Sequence, residues 1–193
     1  MPVTVIGYYT YDTPYEQDMK VLRLSLDAYS IPHNLIGIKD RGGWQENTTY
    51  KPYFVRDMLS VATGPVVYID VDAFVLGPLT LLEQLSCSIA ACVFGSELLS
   101  GTLYLRPDDT TRRIVDRWIE LTETFPETLP DGRPAWDQRT LKMAVAECTV
   151  PDAFVRLPHE YAYIVGLTPL QYQLESAPVI VHTRGRFRHH PKV

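Results

Sequence analysis

Two kinds of apolar pattern alternate along the chain. Short unbroken runs rich in β-branched and aromatic residues predict buried strands. Apolar residues at spacings of three and four predict helices with one buried face. Residues 3–9 form the first such run. Met19, Leu22, Leu26 and Tyr29 follow at spacings of 3, 4 and 3. That helix ends at Ile31-Pro32, because the residue before proline avoids the helical region. Residues 34–38 read as a second short strand. Strand, helix, strand at this length is a βαβ unit, and hence a parallel pair with a right-handed crossover. Residues 39–50 are polar and contain Gly42-Gly43, the pattern of a mobile loop. Pro52 suits the first turn of a second helix, with Phe54, Met58 and Val61 as its buried face.

Residues 65–75 are the central strand, entered at Gly64-Pro65 and left at Gly77-Pro78. A continuous run of this kind belongs to an α/β sheet covered on both faces. Residues 79–85 predict a short helix and residues 89–94 a strand. Ser100-Gly101 then precedes a strand-like segment at 102–105. Asp108 or Asp109 caps a helix with Ile114, Trp118, Leu121 and Phe125 on its apolar face, and residues 126–134 are a proline-rich loop. Asp137 lies in the first turn of a helix to about residue 147; short strands follow at 154–157 and 179–181.

Composition narrows this picture. At 193 residues the chain is expected to be one domain, residues 1–183, followed by a basic tail at 184–193. A net charge of -5 argues against a generally nucleic-acid-binding surface and leaves room for a local basic patch. Cys87, Cys92 and Cys148 are odd in number and lack zinc-like spacing. They predict buried free thiols and a reducing, cytoplasmic compartment. No secretory leader and no apolar run of the ~20 residues that span a bilayer is expected.

The candidate chemistry sits at the end of the central strand. Asp70 and Asp72 fall at or just past its carboxyl end, where open α/β sheets bind ligands. If the extended backbone runs on through them, both point the same way. Two such carboxylates repel unless a cation, a proton or solvent relieves them. Mn²⁺ or Mg²⁺ is the natural cation for oxygen ligands.

Asp70-Val71-Asp72 resembles the Asp-x-Asp strand end of the GT-A glycosyltransferases, which use nucleotide-sugar donors. Further segments agree in the same chain order: Tyr8-Tyr9-Thr10 at the end of the first strand, Lys51-Pro52-Tyr53-Phe54, the Ser100-Gly101 turn, Asp137-Gln138, and His182-Thr183-Arg184-Gly185-Arg186-Phe187-Arg188. The last is similar to a His-x-x-Gly-x-x-Lys signature, with Arg188 in place of lysine and the usual following Pro-Trp absent. The likeness is greatest to the glycogenin and bacterial galactosyltransferase type, which retain anomeric configuration.

The resemblance implies a single-domain, Rossmann-like α/β fold with a mostly parallel central sheet and helices on both faces. It implies a hexosyl- or pentosyltransferase that moves a sugar from a nucleoside-diphosphate sugar, UDP-linked, to a hydroxyl acceptor. Asp70, Asp72 and His182 would hold Mn²⁺ or Mg²⁺. Lys51 and Arg188 would neutralise the diphosphate, with Arg56 as a rival for the Lys51 role, and Gly185 would let the backbone approach it. Tyr8 and Thr10 would meet the nucleotide, and Ser100-Gly101 would face the donor sugar. Asp137 and Gln138 would contact the sugar, and Asp137 would be the base in an inverting variant. The acceptor would be a saccharide or a modified nucleic-acid base, bound by the loops at 39–50 and 124–133. Two alternatives compete: a nucleotidyltransferase, for which residues 8–15 lack a Gly-rich phosphate loop, and a non-catalytic sugar-nucleotide or nucleic-acid binder using the basic tail.

Overall fold

The structure is a computed structural model that describes residues 1–124 and 137–183. Six strands form the central sheet: β1 (Thr4–Thr10), β2 (His33–Ile38), β3 (Val66–Ile69), β5 (Ile89–Phe94), β6 (Glu97–Leu105) and β7 (Phe154–Leu157). Their order is β2-β1-β3-β6-β5-β7. The β1/β2, β1/β3 and β5/β7 pairs are parallel, whereas β6 runs antiparallel to both β3 and β5. The expected mostly parallel α/β sheet and the parallel β1/β2 unit are both present.

Alternation along the strands sorts the core into two layers. Val5, Val67, Ile69 and Tyr104 face α1 (Pro14–Ala28) through Met19, Leu22 and Leu26. Ile6, Tyr68, Leu103 and Leu105 face α3 (Lys51–Val61), α5 (Asp109–Thr124) and α6 (Asp137–Glu147). Trp118 of α5 is fully buried in that second layer, a burial that contributes about 1.5–3 kcal/mol for a large apolar side chain. Its indole N–H donates to the Asp137 carbonyl at 2.8 Å, tying α5 to the first turn of α6. Asp108 caps α5 through Oδ1, which accepts from Thr111 N–H at 2.8 Å. Phe125 and the proline-rich loop lie outside the described residues.

Several expectations are corrected. The central strand does not run to residue 75. Extended structure stops at Ile69, and Ala73 N–H donates to the Asp70 carbonyl at 3.1 Å, closing a tight turn over Asp70-Val71-Asp72. The chain then enters β4 (Ala73–Val75), which belongs to a second sheet of order β4-β9-β8, with β8 (Tyr163–Ile164) and β9 (Ile180–His182). Residues 39–50 are not simply a loop, because α2 (Trp44–Thr49) forms within them. The buried side of α3 is Lys51, Phe54, Val55 and Leu59, while Val61 is exposed. Burying Lys51 at the helix start turns the inward stripe away from Val61. Ser100-Gly101 is no turn; both residues lie inside β6. Cys87 and Cys92 are buried and free, but Cys148 is only partly covered.

The second sheet delivers the last strand to the site. In the β4/β9 register Ala73 faces His182, and Thr183 donates to the Asp72 carbonyl through N–H at 3.0 Å and Oγ1 at 2.9 Å. Buried Glu160 holds the approach to β9, since its Oε1 accepts from Glu175 N–H at 2.7 Å and Ser176 N–H at 3.1 Å.

Candidate functional site

A cavity of about 360 Å³ opens at the carboxyl ends of β1 and β3. At its floor Lys51 is buried with its ammonium among three partners. Nζ lies 2.8 Å from Asp137 Oδ2, 3.1 Å from Asp70 Oδ1 and 3.2 Å from Ser100 Oγ. Burial opposes charging this lysine, but the Asp137 and Asp70 carboxylates more than offset it and hold the ammonium above the ordinary lysine range. The contact requires α3 to present Lys51 inward at its first turn, opposite the first turn of α6 and the end of β3. Tyr68, two residues before Asp70, donates its hydroxyl to Asp70 Oδ1 at 2.8 Å. Burial raises the Tyr68 hydroxyl well above the usual tyrosine range, so it remains a donor.

Beside this cluster stand Asp72 and His182. The imidazole is buried, and burial lowers its pKa to about 4, leaving it neutral at pH 7. Thr102 Oγ1 is 2.8 Å from His182 Nε2, which turns Nδ1 towards Asp72 Oδ1 at 4.0 Å. Gly101 keeps the intervening space clear. A Cβ there would stand 3.1 Å from Asp70 Oδ2, 3.0 Å from His182 Cε1 and 3.3 Å from His182 Nδ1. Among the described residues no three His, Cys, Asp or Glu side chains stand close enough to surround a metal ion. The donor types nonetheless suit one: two carboxylates are ligands for Mn²⁺ or Mg²⁺, a neutral imidazole beside them suits the transition metal Mn²⁺ better than Mg²⁺, and Gly101 leaves them a shared cleft.

All of the predicted site residues line this cavity except three. Arg56 is exposed on α3, where it pairs with Asp57 at 3.5 Å. Gly185 and Arg188 lie outside the described residues, as does the rest of the basic tail. Tyr8 donates its hydroxyl to the Asn47 carbonyl at 2.6 Å, pinning α2 over the end of β1. Buried Thr10 shares a 2.8 Å hydrogen bond with the hydroxyl of Thr13, the residue that caps α1. Lys51 stands between two carboxylates, Asp70 and Asp137.

Sequence reasoning missed Tyr68, Thr102 and α2. Tyr68 was legible in principle, because period 2 puts it on the same side of the strand as Asp70. Thr102 was not, since only the β3/β6 pairing brings it to His182. Trp44, Asn47, Thr48 and Lys51 all line the cavity, and their spacing of 3, 1 and 3 is one helical face.

No family model matches the chain, and no curated protein sequence matches it. Solved structures do. A glycosyltransferase involved in glycosylating the major capsid of PBCV-1 is 15% identical with a TM-score of 0.69, covering 96% of this chain and 94% of that one. The glycosyltransferase GlyE of Streptococcus pneumoniae TIGR4 is 23% identical with a TM-score of 0.65, covering 94% of this chain and 54% of GlyE. The present chain thus spans about half the length of GlyE. The galactosyltransferase LgtC, solved with donor and acceptor sugar analogues, is 11% identical with a TM-score of 0.60, covering 93% of this chain and 86% of LgtC. The fold of the chain is the GT-A glycosyltransferase fold.

Proposed function

We propose that this protein is a metal-dependent glycosyltransferase that moves a sugar from a nucleoside-diphosphate sugar, UDP-linked, to a hydroxyl acceptor with retention of configuration. One observation carries the reading. Asp70 and Asp137 come from distant parts of the chain and meet through one buried lysine at the floor of a cavity that also holds Asp72 and His182. An arrangement that buries a charged cluster at such cost, at the strand ends of this fold, is a functional-site arrangement. The same shared fold in three glycosyltransferases supports it.

Asp70, Asp72 and His182 would hold Mn²⁺ or Mg²⁺. Such an ion, when bound, supplies Lewis-acid stabilisation of the departing diphosphate. Lys51 keeps the Asp70 and Asp137 carboxylates at fixed positions and offsets their mutual repulsion. Asp137 and Gln138 contact the donor sugar from the start of α6. Arg188 and Gly185 serve the diphosphate, a planar guanidinium being suited to bidentate phosphate contact. Tyr8 and Thr10 border the nucleotide, and Ser100-Gly101 borders the sugar. The Asp137 charge is already engaged by Lys51, so the acceptor proton passes to the leaving phosphate rather than to this carboxylate. Residues 1–183 act as the transferase domain and 184–193 as its basic tail. No helix among the described residues is long and apolar enough to cross a membrane, and we assign the protein to the cytoplasm on its three free cysteines.

Calorimetric titration of UDP tests this, first with Mn²⁺ and then with EDTA. Binding that needs the metal and is lost in Asp70→Ala is expected. If UDP, GDP and dTDP all fail to bind in the presence of Mn²⁺, the donor site does not exist.

A further inference from the structure

We infer that Tyr68 decides which divalent cation the cavity accepts. Its hydroxyl closes one oxygen of Asp70 and leaves the other open, which favours a compact octahedral ion such as Mn²⁺ over Ca²⁺. This rests on the metal-dependent reading above and adds the selectivity of that same site to it. Tyr68 is buried on β3, and its ring packs in the second layer, with centroids 6.1 Å from Phe54 and 6.2 Å from Tyr8. Phenylalanine would fill that space as well. The hydroxyl is the extra group, and burying one is unfavourable unless it finds a partner. Period 2 puts residues 68 and 70 on one side of the chain. Extended structure stops at Ile69, and the Asp70 carboxylate lies with Oδ1 2.8 Å from Tyr68 Oη.

The main chain of Asp70 is fixed on both sides. Its N–H donates to the Gly101 carbonyl at 2.9 Å, and its carbonyl accepts from Ala73 N–H at 3.1 Å. What remains free is rotation of the carboxylate, and Lys51 does not settle that. Nζ lies 3.1 Å from Oδ1 and 3.4 Å from Oδ2, so the ammonium offsets the charge without choosing between the oxygens. The Tyr68 hydroxyl chooses, because it donates to Oδ1. The second oxygen, Oδ2, is the one beside Gly101. A Cβ on residue 101 would stand 3.1 Å from Oδ2 and 3.0 Å from His182 Cε1. Asp70 is 35% exposed, and Oδ2 is the oxygen turned to the cleft it shares with His182.

The choice of cation follows from that division. Ca²⁺ gathers about six to eight oxygens in a flexible shell and takes both oxygens of one carboxylate. Mg²⁺ demands a tighter octahedron, and Mn²⁺ shares that geometry while accepting imidazole. A carboxylate with one oxygen held by a phenol offers a cation the other oxygen only. That suits an octahedral ion and withholds a ligand from Ca²⁺. The neutral imidazole of His182 acts in the same direction, since nitrogen is a poor substitute for oxygen around Ca²⁺. Asp72 stands in the cavity whatever occupies position 68, so a change at Tyr68 isolates the contribution of Asp70.

Metal titrations of the full chain with UDP present test this. Bound Mn²⁺ is read by electron paramagnetic resonance, and Ca²⁺ by its displacement of Mn²⁺ and by calorimetry. The wild-type protein should prefer Mn²⁺. Tyr68→Phe keeps the ring and removes the hydroxyl. It should weaken Mn²⁺ about tenfold, the scale on which groups that orient metal ligands act, and leave Ca²⁺ as tight or tighter, so the preference narrows. A merely structural role for Tyr68 would weaken both ions alike, and that result overturns the proposal. So would unchanged affinity for both ions, or a wild-type protein that binds Ca²⁺ as tightly as Mn²⁺. A protein with 4-aminophenylalanine in place of Tyr68 keeps a donor at the same position and should keep the wild-type preference. It reads the same ratio if Tyr68→Phe is too unstable to titrate, and a narrowed preference there overturns the proposal as well. Failure of the wild-type protein to bind Mn²⁺, with or without UDP, is a different result, since it removes the metal site itself.

Discussion

Lys51 Nζ lies 2.8 Å from Asp137 Oδ2, and both side chains are almost wholly buried. The pair spans 86 residues of sequence, between Lys51 at the start of α3 and Asp137 at the start of α6. It is the contact on which the geometry of the site depends, because Lys51 reaches Asp70 as well.

Lys51→Met removes the cation and leaves two carboxylates facing each other. Breaking a buried pair from one side costs about 3–5 kcal/mol. Chemical denaturation should show a loss of that order, and sugar transfer should disappear. Lys51→Arg should not restore transfer, because the broader guanidinium does not fit a site packed around an ammonium. Wild-type stability in Lys51→Met would mean that the cluster is open to water.

Gly101→Ala tests the cleft. Its Cβ would meet Asp70 Oδ2 at 3.1 Å and the His182 ring at 3.0 Å, closer than ordinary van der Waals contact. We expect a folded protein whose Mn²⁺-dependent UDP binding falls about tenfold or more, by analogy with the cost of disturbing the groups that orient metal ligands. Unchanged calorimetric affinity would show that the space beside Gly101 is not used.

Thr102→Val keeps the shape of the side chain and deletes the hydroxyl that holds His182 Nε2. Partners that orient a ligating imidazole are worth about 10–100-fold in metal affinity. Mn²⁺ affinity read by electron paramagnetic resonance should fall, and the nitrogen-15 shifts of His182 should report a mixture of tautomers. Thr102→Ser should recover both. A Thr102→Val protein with normal Mn²⁺ affinity would leave Thr102 as core filling alone.

Acid should loosen the site through Glu160. Burial opposes ionisation of this carboxyl, but its own N–H and those of Ser176 and Glu175 more than offset that and hold its pKa below 4.5, the ordinary value. A carboxyl depressed in the folded state contributes stability that is present above its unfolded pKa and lost as pH falls through the folded one. Thermal midpoints should therefore drop as pH is lowered from 4.5. Glu160→Gln should be less stable at pH 7 and lose that part of the slope. An identical slope in both proteins would exclude Glu160 as the source.

What the amino-acid pattern determined by itself was local. The existence of a buried strand after Gly64-Pro65, though not its end at Ile69, the stripe of Met19, Leu22 and Leu26 on α1, and Asp137 in the first turn of α6 all follow from periodicity and flanking residues. The Asp70-Val71-Asp72 sequence marked the cavity for the same reason: a buried strand that ends in carboxylates is visible without its neighbours. Tertiary structure decided the rest, because those features depend on which distant segments pair. Asp70 and Asp72 sit on a turn and not on a continuing strand, since β9 captures the chain at Ala73. Ser100-Gly101 is drawn into β6 by pairing with β3, where the Gly101 carbonyl accepts from Asp70 N–H at 2.9 Å. The sequence shows Lys51 only as a cation at a helix start, and its burial is decided when α6 brings Asp137 against it. Period and composition record what one segment buries, whereas a charge is buried only when its partner arrives from elsewhere in the fold.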